Sequence, residues 1–257
     1  MSASLEGGWY PGSTQPSELI ILFIESNFDP KPSLLGHVLS EVSFEQMVWA
    51  FFRVAGKLYE GLKLDPTGTD KTRCPVSVVF ASKEKGIDTI WDYHRSFPDM
   101  EFDFQDYMKA TLKSAFYSTQ HTVRGFDWSK VNSVVDVGGS AGHISMAIHD
   151  QFPHIKFVVE DLGDVIRDPQ QQLPQRYTDR ISFLEHSFFD AQPVTADCYL
   201  LHYVLHNWPD EDAKKIIAGL SPALGPGKWV VIADHVVPEQ GKTYQSLEGL
   251  VRVRIIG

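Results

Sequence analysis

A glycine-rich turn between two apolar runs constrains the fold of this chain more than any other feature. Residues 134–142 read Val-Val-Asp-Val-Gly-Gly-Ser-Ala-Gly, and a second apolar run at 156–160 is closed by Asp161. Short β-branched runs are typical of buried parallel strands. The residues between the two runs have the apolar spacing of a helix. The pattern therefore predicts strand, glycine turn, helix and strand, which is the βαβ unit that holds nucleotide-like ligands.

The glycine spacing indicates which ligand this turn would hold. A dinucleotide fingerprint is G-x-G-x-x-G, but its third glycine would fall at His143, and the run reads D-x-G-G-x-x-G instead. Asp136 would repel a pyrophosphate but suits an ammonium group, and Asp161 is placed to accept hydrogen bonds from both ribose hydroxyls. A ligand with an amino-acid end and a ribose end fits best, and S-adenosylmethionine (SAM) is the common one. The alternative is a tight turn without a ligand, the glycines serving only the backbone.

Strand and helix patterns alternate after residue 132, which predicts an α/β fold. Short connections favour a Rossmann-like, doubly wound, mainly parallel sheet with its ligand at the carboxyl ends of the strands. The predicted strands are Ser133–Val137, Lys156–Glu160, Ile181–Glu185, Asp197–Leu205 and Trp229–His235. The predicted helices are Ala141–Phe152, a segment near Asp164–Gln172, and Pro209–Leu224.

The first half of the chain has a different character. Its apolar residues follow helical spacing at Phe44–Leu62, where the aromatic residues favour the core or a dimer face, and again at Phe104–Val123. The aromatic-rich segment 104–128 favours an intertwined dimer. We expect three parts: a disordered, Gly/Ser/Pro-rich segment 1–18, a smaller, mainly helical region 19–124 for dimerisation and substrate, and a sheet domain 125–257.

Composition excludes several classes of function. A net charge of −10 leaves no basic surface for nucleic acid. The two cysteines do not form a disulfide framework, Cys198 reads as a buried apolar residue, and no cluster has the spacing of a zinc site. The apolar run at 19–24 is too short to span a membrane. A cytoplasmic protein without metal or membrane contact is the default expectation.

Several stretches together resemble the class I SAM-dependent O-methyltransferases, especially the plant caffeate-type and fungal secondary-metabolite enzymes. The resemblance covers about residues 85–252 and rests on an ordered series of motifs. These are Asp136-Val-Gly-Gly-Ser-Ala-Gly-His143, Asp161-Leu162, Leu205-His-Asn-Trp-Pro-Asp-Glu211 and Gly225-Pro-Gly-Lys-Trp-Val-Val-Ile-Ala-Asp234.

The resemblance implies a role for each residue of the SAM site. Asp161 would hold the ribose. The family's loop after its third strand carries an acid where this chain has Ser187, which weakens one adenine contact, whereas Phe188 can still pack on a ring. His202 stands where relatives often have lysine and is expected to be structural, like His235. The methionine end of SAM would lie on the glycine loop, formed by Gly138, Gly139 and Gly142, with Asp136 beside it.

The resemblance also implies the catalytic pair. His206 matches the family's general base, and Asp234, at the end of the fifth predicted strand, matches the acid that orients it. A phenol has a pKa near ~10 and histidine near ~6.5, so a nearby imidazole can accept the proton as the oxygen attacks. We expect His206 at the end of the fourth predicted strand. A packing role beside Trp208 is the alternative.

The sequence also departs from the family at both ends. Relatives carry a longer N-terminal part, and past Arg252 they add elements that complete the sheet. The sheet domain is therefore expected to be C-terminally incomplete, with the fifth strand as an exposed edge.

The function predicted from these features is SAM-dependent O-methylation. The acceptor would be a hydroxyl, expected to be phenolic, on a small secondary metabolite, the product would be S-adenosylhomocysteine, and the enzyme would be a homodimer. Two alternatives stay open: a pseudoenzyme that serves as a dimer partner, and a non-methylating catalyst on the same scaffold. A nicotinamide dehydrogenase is disfavoured by the failed dinucleotide fingerprint.

Overall fold

The computed structural model describes residues 3–4, 18–23, 54–67, 69–70, 72–73, 75–80, 92 and 119–234. Packing divides the chain into two compact units, one of residues 1–25 and 119–236 and the other of 26–118 and 237–257. Most of the predicted helical stretches 44–62 and 104–123, and also His235, lie outside the described residues. The division into parts at 18 and 124 stays a prediction.

Among the described residues, one sheet of seven strands organises the first unit. Its spatial order is β1-β2-β7-β6-β3-β4-β5, and all neighbouring pairs are parallel except β1 with β2. The strands are β1 (Ala3–Ser4), β2 (Glu18–Phe23), β3 (Ser133–Val137), β4 (Lys156–Asp161), β5 (Ile181–Glu185), β6 (Cys198–His202) and β7 (Trp229–Asp234). The predicted parallel α/β sheet is confirmed.

The edge of the sheet differs from the expectation. β7 is not exposed, because β2 pairs with it in parallel along its whole length, from Glu18 beside Trp229 to Phe23 beside Asp234. The run Glu18–Phe23 has strand length and β-branched residues, which suit such a position. Its pairing across more than 200 residues of chain is invisible to local patterns, so the prediction of an open edge was wrong.

Two of the three helices predicted after residue 132 are shorter than the sequence suggested, and the third matches its predicted segment. Those of the first unit pack on a sheet buried on both faces: Val134 of β3 belongs to one apolar cluster, and its neighbours Val135 and Val137 belong to another. The helices are α1 (Leu58–Leu64) and α2 (Pro75–Phe80) in the second unit, and α3 (Gln120–Gly125), α4 (His143–His149), α5 (Gly163–Gln172) and α6 (Asp210–Gly219) in the first.

Two local causes explain the shortening. α4 begins only after Gly142, because that glycine has a left-handed backbone (φ 72°) that a helix cannot contain. α6 ends at Gly219, and the rest of the predicted helix becomes a separate 3₁₀ turn, Ser221–Ala223, with proline near its start. The three acids at 210–212 do occupy the first turn of α6.

Candidate active site

The glycine loop joins β3 to α4 at the carboxyl edge of the sheet. Gly138 and Gly142 have left-handed backbones (φ 69° and 72°), and so does Ser140 (φ 49°). Gly139 is required for another reason. A Cβ there would lie 2.5 Å from Cγ of Asp136, so the absent side chain makes room for a carboxylate of the protein itself. The loop is further fixed where Gly139 N–H donates to the carbonyl of Glu160 (3.0 Å).

Asp136 lies beneath this loop and has no exposed surface. The hydroxyl of Ser145 in α4 donates to its Oδ2 (2.6 Å), while its buried Oδ1 has no hydrogen-bond partner. Burial raises the pKa of Asp136 to about 7, and the nearby charges of Asp161 and Glu160 add to this, whereas the Ser145 hydrogen bond opposes it. Because Asp136 has no exposed surface, its carboxyl group can act on a ligand above the loop only through its electric field when it is ionised, and not by direct contact.

Asp161 ends β4 and ties that strand to the glycine loop. Its Oδ2 accepts the backbone N–H of Ser140 (2.9 Å), and its Oδ1 accepts that of Leu162 (2.8 Å). Burial raises the pKa of Asp161, and the two backbone hydrogen bonds oppose that shift. Each carboxylate oxygen can accept more than one hydrogen bond, so capacity remains for two ligand hydroxyls.

A third carboxylate, Glu160, was missed as a site residue at the sequence level. It is buried, its Oε2 accepts from the amide of Gln192 (2.8 Å), and the same oxygen lies 3.2 Å from Nδ1 of His186. Burial raises the pKa of Glu160, while Gln192 and His186 oppose the shift. The signal was available, because a glutamate inside an apolar strand must find buried partners.

The loop after β5 carries the residues expected near an adenine. His186 N–H donates to the carbonyl of Asp161 (3.0 Å), which fixes the loop beside the ribose candidate. The hydroxyl of Ser187 accepts the N–H of Phe189 (3.3 Å). The ring of Phe188 lies beside Gly138, where an added Cβ would be 3.3 Å away, so this partly buried ring borders the glycine loop.

Phe188 belongs to an aromatic group at this end of the site. Its ring centroid is 5.0 Å from that of Phe189 and 5.6 Å from that of Trp208, both at steep angles. Phe189 is 38% exposed and forms the outer member. Edge-to-face packing of this kind stabilises the loop and presents apolar rings at its surface.

His206, which follows β6, and Asp234, at the end of the neighbouring strand β7, form a pair. Nδ1 of His206 lies 2.8 Å from Oδ1 of Asp234. The backbone N–H of His206 donates to Oδ2 of the same carboxylate (3.1 Å). Asp234 ends β7 as predicted. Both side chains are partly buried, at 22% and 12% exposure.

The position of His206 differs from the expectation. β6 ends at His202, and His206 lies in a 3₁₀ turn, Leu205–Asn207, so it follows the strand rather than ending it. The reason is Tyr203, whose left-handed backbone (φ 57°) ends the extended conformation. The turn nevertheless adjoins the glycine loop, because Val204 lies 3.3 Å from the Cβ position of Gly138.

The structure thus brings the predicted residues to one edge of one sheet. The loop and Asp161 are joined by hydrogen bonds, and Phe188 and Val204 connect them by contact to the turn of His206. Cys198 is fully buried as predicted, and burial raises the pKa of its thiol. Within the described part of the chain, His, Cys, Asp and Glu residues form no group that could hold a metal ion. None of the helices seen there is long and apolar enough to cross a membrane.

Comparison with known proteins identifies similar chains. The model of an O-methyltransferase domain matches residues 70–256. O-methyltransferase FrzF of Cladobotryum sp is 37% identical over 197 residues, covering 75% of this chain and 46% of its own length. O-methyltransferase VdtC of Byssochlamys spectabilis is 36% identical over 242 residues, covering 88% of this chain and 55% of its own length. The chain therefore spans about half the length of these curated relatives.

A solved structure supports the fold. Human N-acetylserotonin methyltransferase in complex with SAM superposes with a TM-score of 0.65 at 21% identity, over 83% of this chain and 57% of that one.

Proposed function

This chain belongs to the O-methyltransferase family, whose domain model matches residues 70–256, and from that premise we propose that it binds SAM at the glycine loop and transfers the methyl group to a hydroxyl of a small molecule. The observation that carries the proposal is the placement of a ribose-type acid, Asp161, and a histidine–aspartate pair, His206 and Asp234, on either side of one glycine loop.

The charge of the site favours SAM over a dinucleotide. Asp136, Glu160 and Asp161 surround the loop, and burial raises the pKa of each, so adding negative charge there is already unfavourable. A pyrophosphate would add two more charges, whereas the ammonium and sulfonium of SAM would neutralise the carboxylates.

Residues along the edge would hold the three parts of SAM. The methionine end would lie on Gly138, Gly139 and Gly142, with Asp136 acting from below. Both ribose hydroxyls would donate to Asp161, whose position the glycine loop fixes. The base would extend over the loop after β5, where Ser187 offers a hydroxyl and Phe188 an apolar ring.

His206 would act as the general base. SAM supplies a methyl group on a positively charged sulfur, and the acceptor oxygen displaces that sulfur as the C–S bond breaks and the C–O bond forms. Nδ1 of His206 faces Asp234, so the opposite nitrogen, Nε2, is the one to receive the hydroxyl proton. Asp234 would stabilise the resulting imidazolium, and its second oxygen accepts the backbone N–H of His206, which fixes the histidine beside the carboxylate. Alignment of the two reactants would supply most of the acceleration.

The acceptor we propose is a phenolic hydroxyl on a small secondary metabolite. The similarity to O-methyltransferases FrzF and VdtC supports the reaction, and the resemblance to fungal enzymes of this kind supports the class of acceptor. Homodimerisation and cytoplasmic location stay predictions.

The test begins with calorimetric titration of the chain with SAM and with S-adenosylhomocysteine. We expect micromolar binding, followed by a gain of one CH₂ in the product mass when a panel of phenols is added. Binding without any transfer would contradict the catalytic part and identify the pseudoenzyme. Conversion of an acceptor without gain of mass would identify a non-methylating catalyst.

A matched pair of variants tests whether Asp161 contacts the ribose of SAM. Asp161→Ala removes two backbone hydrogen bonds and the ribose contact, so we expect SAM affinity to fall roughly 100-fold or more, as when several hydrogen bonds to a charged group are lost together. Asp168→Ala removes the same charge from an exposed position in α5 and should leave affinity unchanged. Equal affinities in the two variants would exclude the ribose assignment.

A further inference from the structure

Tyr203 has a backbone conformation that large side chains rarely adopt. Its φ is 57°, in the left-handed region, and it stands directly between the end of β6 at His202 and the turn that carries His206. Glycine or asparagine would accept this conformation at lower cost. A strained aromatic residue at such a position indicates that its ring is needed where the backbone places it.

The backbone of Tyr203 is anchored to the neighbouring strand. Its N–H donates to the carbonyl of Ala233 (2.9 Å), the residue before Asp234. The left-handed turn therefore changes the chain direction at a point fixed against β7, and it sets where His206 returns toward the Asp234 carboxylate. In an extended conformation the strand would continue, and the following residues would point away from that pairing.

The ring of Tyr203 lies near two imidazoles. Its centroid is 4.4 Å from that of His202 and 6.1 Å from that of His206, and the contact with His206 is edge-on at 85°. Burial, and then the negative charge of Asp234, raises the pKa of the Tyr203 phenol, so this side chain also lies within the field of the carboxylate. In the described part of the chain, the Tyr203 ring and the Asp234 carboxylate lie next to the His206 imidazole, and the His202 imidazole lies next to Tyr203.

We propose that Tyr203 is a positioning residue for His206: its left-handed backbone breaks β6, and its ring limits the orientations of the imidazole to those that face Asp234. The inference rests on the proposed function for its kinetic consequence, but not for the orientation of the ring itself. The proposal predicts that the aromatic ring of Tyr203, rather than its phenol hydroxyl, orients the His206 imidazole and supports turnover.

Three variants of Tyr203 separate the contributions of its ring, its hydroxyl and its backbone conformation to turnover. Tyr203→Phe keeps the ring and should retain turnover within about threefold, because the edge contact persists. Tyr203→Gly keeps the backbone conformation and removes the ring, so kcat should fall about tenfold or more, with KM and SAM affinity within about threefold. Tyr203→Asn also tolerates the left-handed backbone and repeats the test if the glycine variant does not fold. Tyr177→Phe removes a phenol hydroxyl that donates to Asp150 and serves as the control.

A second measurement does not require turnover. Nitrogen-15 NMR of labelled histidine reports the tautomer and the pH midpoint of the His206 imidazole. We expect both to differ from wild type in Tyr203→Gly and to match it in Tyr203→Phe. An unchanged kcat, tautomer and midpoint in Tyr203→Gly would overturn the inference. If the wild-type chain transfers no methyl group, the proposed function fails, while the NMR comparison still decides the role of Tyr203.

Discussion

The two sides of the candidate site are built in different ways. On the glycine-loop side, backbone N–H groups fix the acid: Ser140 and Leu162 both donate to Asp161. On the histidine side, the Asp234 carboxylate pairs with the ring of His206 and accepts its backbone N–H. His206 lies in a short turn that follows Tyr203, a residue with a left-handed backbone. The first arrangement is rigid and acidic, and the second depends on the orientation of a single ring.

This difference assigns ligand binding to the glycine-loop side and proton transfer to the histidine side. A rigid group of carboxylates under a loop can hold a charged ligand before any reaction begins, because its geometry does not depend on the second substrate. An imidazole whose one nitrogen faces a carboxylate can accept a proton on the other nitrogen and return it. Changes on the glycine-loop side should therefore alter affinity and stability, and changes on the histidine side should alter turnover.

Removing the base should give the largest effect and tests that separation directly. His206→Ala deletes the proton acceptor but leaves the loop and Asp161 intact, so we expect turnover to fall roughly 10²- to 10⁴-fold, with SAM affinity within about threefold of wild type. Transfer rate and calorimetric affinity are measured on the same preparation. His154→Ala, which loses an exposed histidine bonded to the Val131 carbonyl, is the control. A variant that loses SAM affinity and turnover together would break the comparison.

Filling the space under the glycine loop should have the next largest effect, on stability. Gly139→Ala would place a methyl group 2.5 Å from Cγ of Asp136, which forces the carboxylate or the loop to move. We expect a loss of about 1–3 kcal/mol in the free energy of unfolding, typical of overpacking, and weaker SAM binding. Gly225→Ala is the matched control, because no atom lies within 4 Å of its added Cβ. Urea denaturation of both variants checks the prediction, and equal losses would contradict it.

The same contrast explains how much could be predicted from the sequence. The bounds of β3 and β5 are as predicted, because short β-branched runs between turn residues depend on local pattern alone. The glycine loop and Asp161 followed from the same reasoning, since strand ends in a βαβ unit converge on one edge. The family resemblance then supplied His206 and Asp234, which the structure places in contact.

What was missed depends on information that residue types do not carry. The left-handed φ of Tyr203 is not a preference of tyrosine, so β6 was drawn too long and His206 was placed on the strand. The pairing of β2 with β7 joins distant segments, so no local pattern reveals it. Glu160 was read as part of a strand, and its partners His186 and Gln192 come from a loop whose path was not predicted.

The pH dependence of stability belongs to the glycine-loop side alone. Burial raises the pKa of Asp136 to about 7 in the folded chain, against about 3.9 when unfolded. Between these values the folded chain keeps a proton that the unfolded chain has released. The contribution of Asp136 to the free energy of unfolding is therefore most favourable at low pH. It is lost as the pH rises from about 3.9 to about 7, by roughly 1.4 kcal/mol per pH unit.

Asp136→Asn removes this titration and keeps an acceptor for Ser145, so its free energy of unfolding should fall less steeply between about pH 4 and 7. Ser145→Ala deletes the hydrogen bond that opposes the shift, so its decline should extend to higher pH than that of wild type. Urea denaturation of the ligand-free proteins across that range measures both slopes. Glu160 and Asp161 are present in all three proteins, so the differences report Asp136. If wild type and Asp136→Asn decline in parallel, the carboxylate is ionised throughout, and its field acts on SAM at every pH tested.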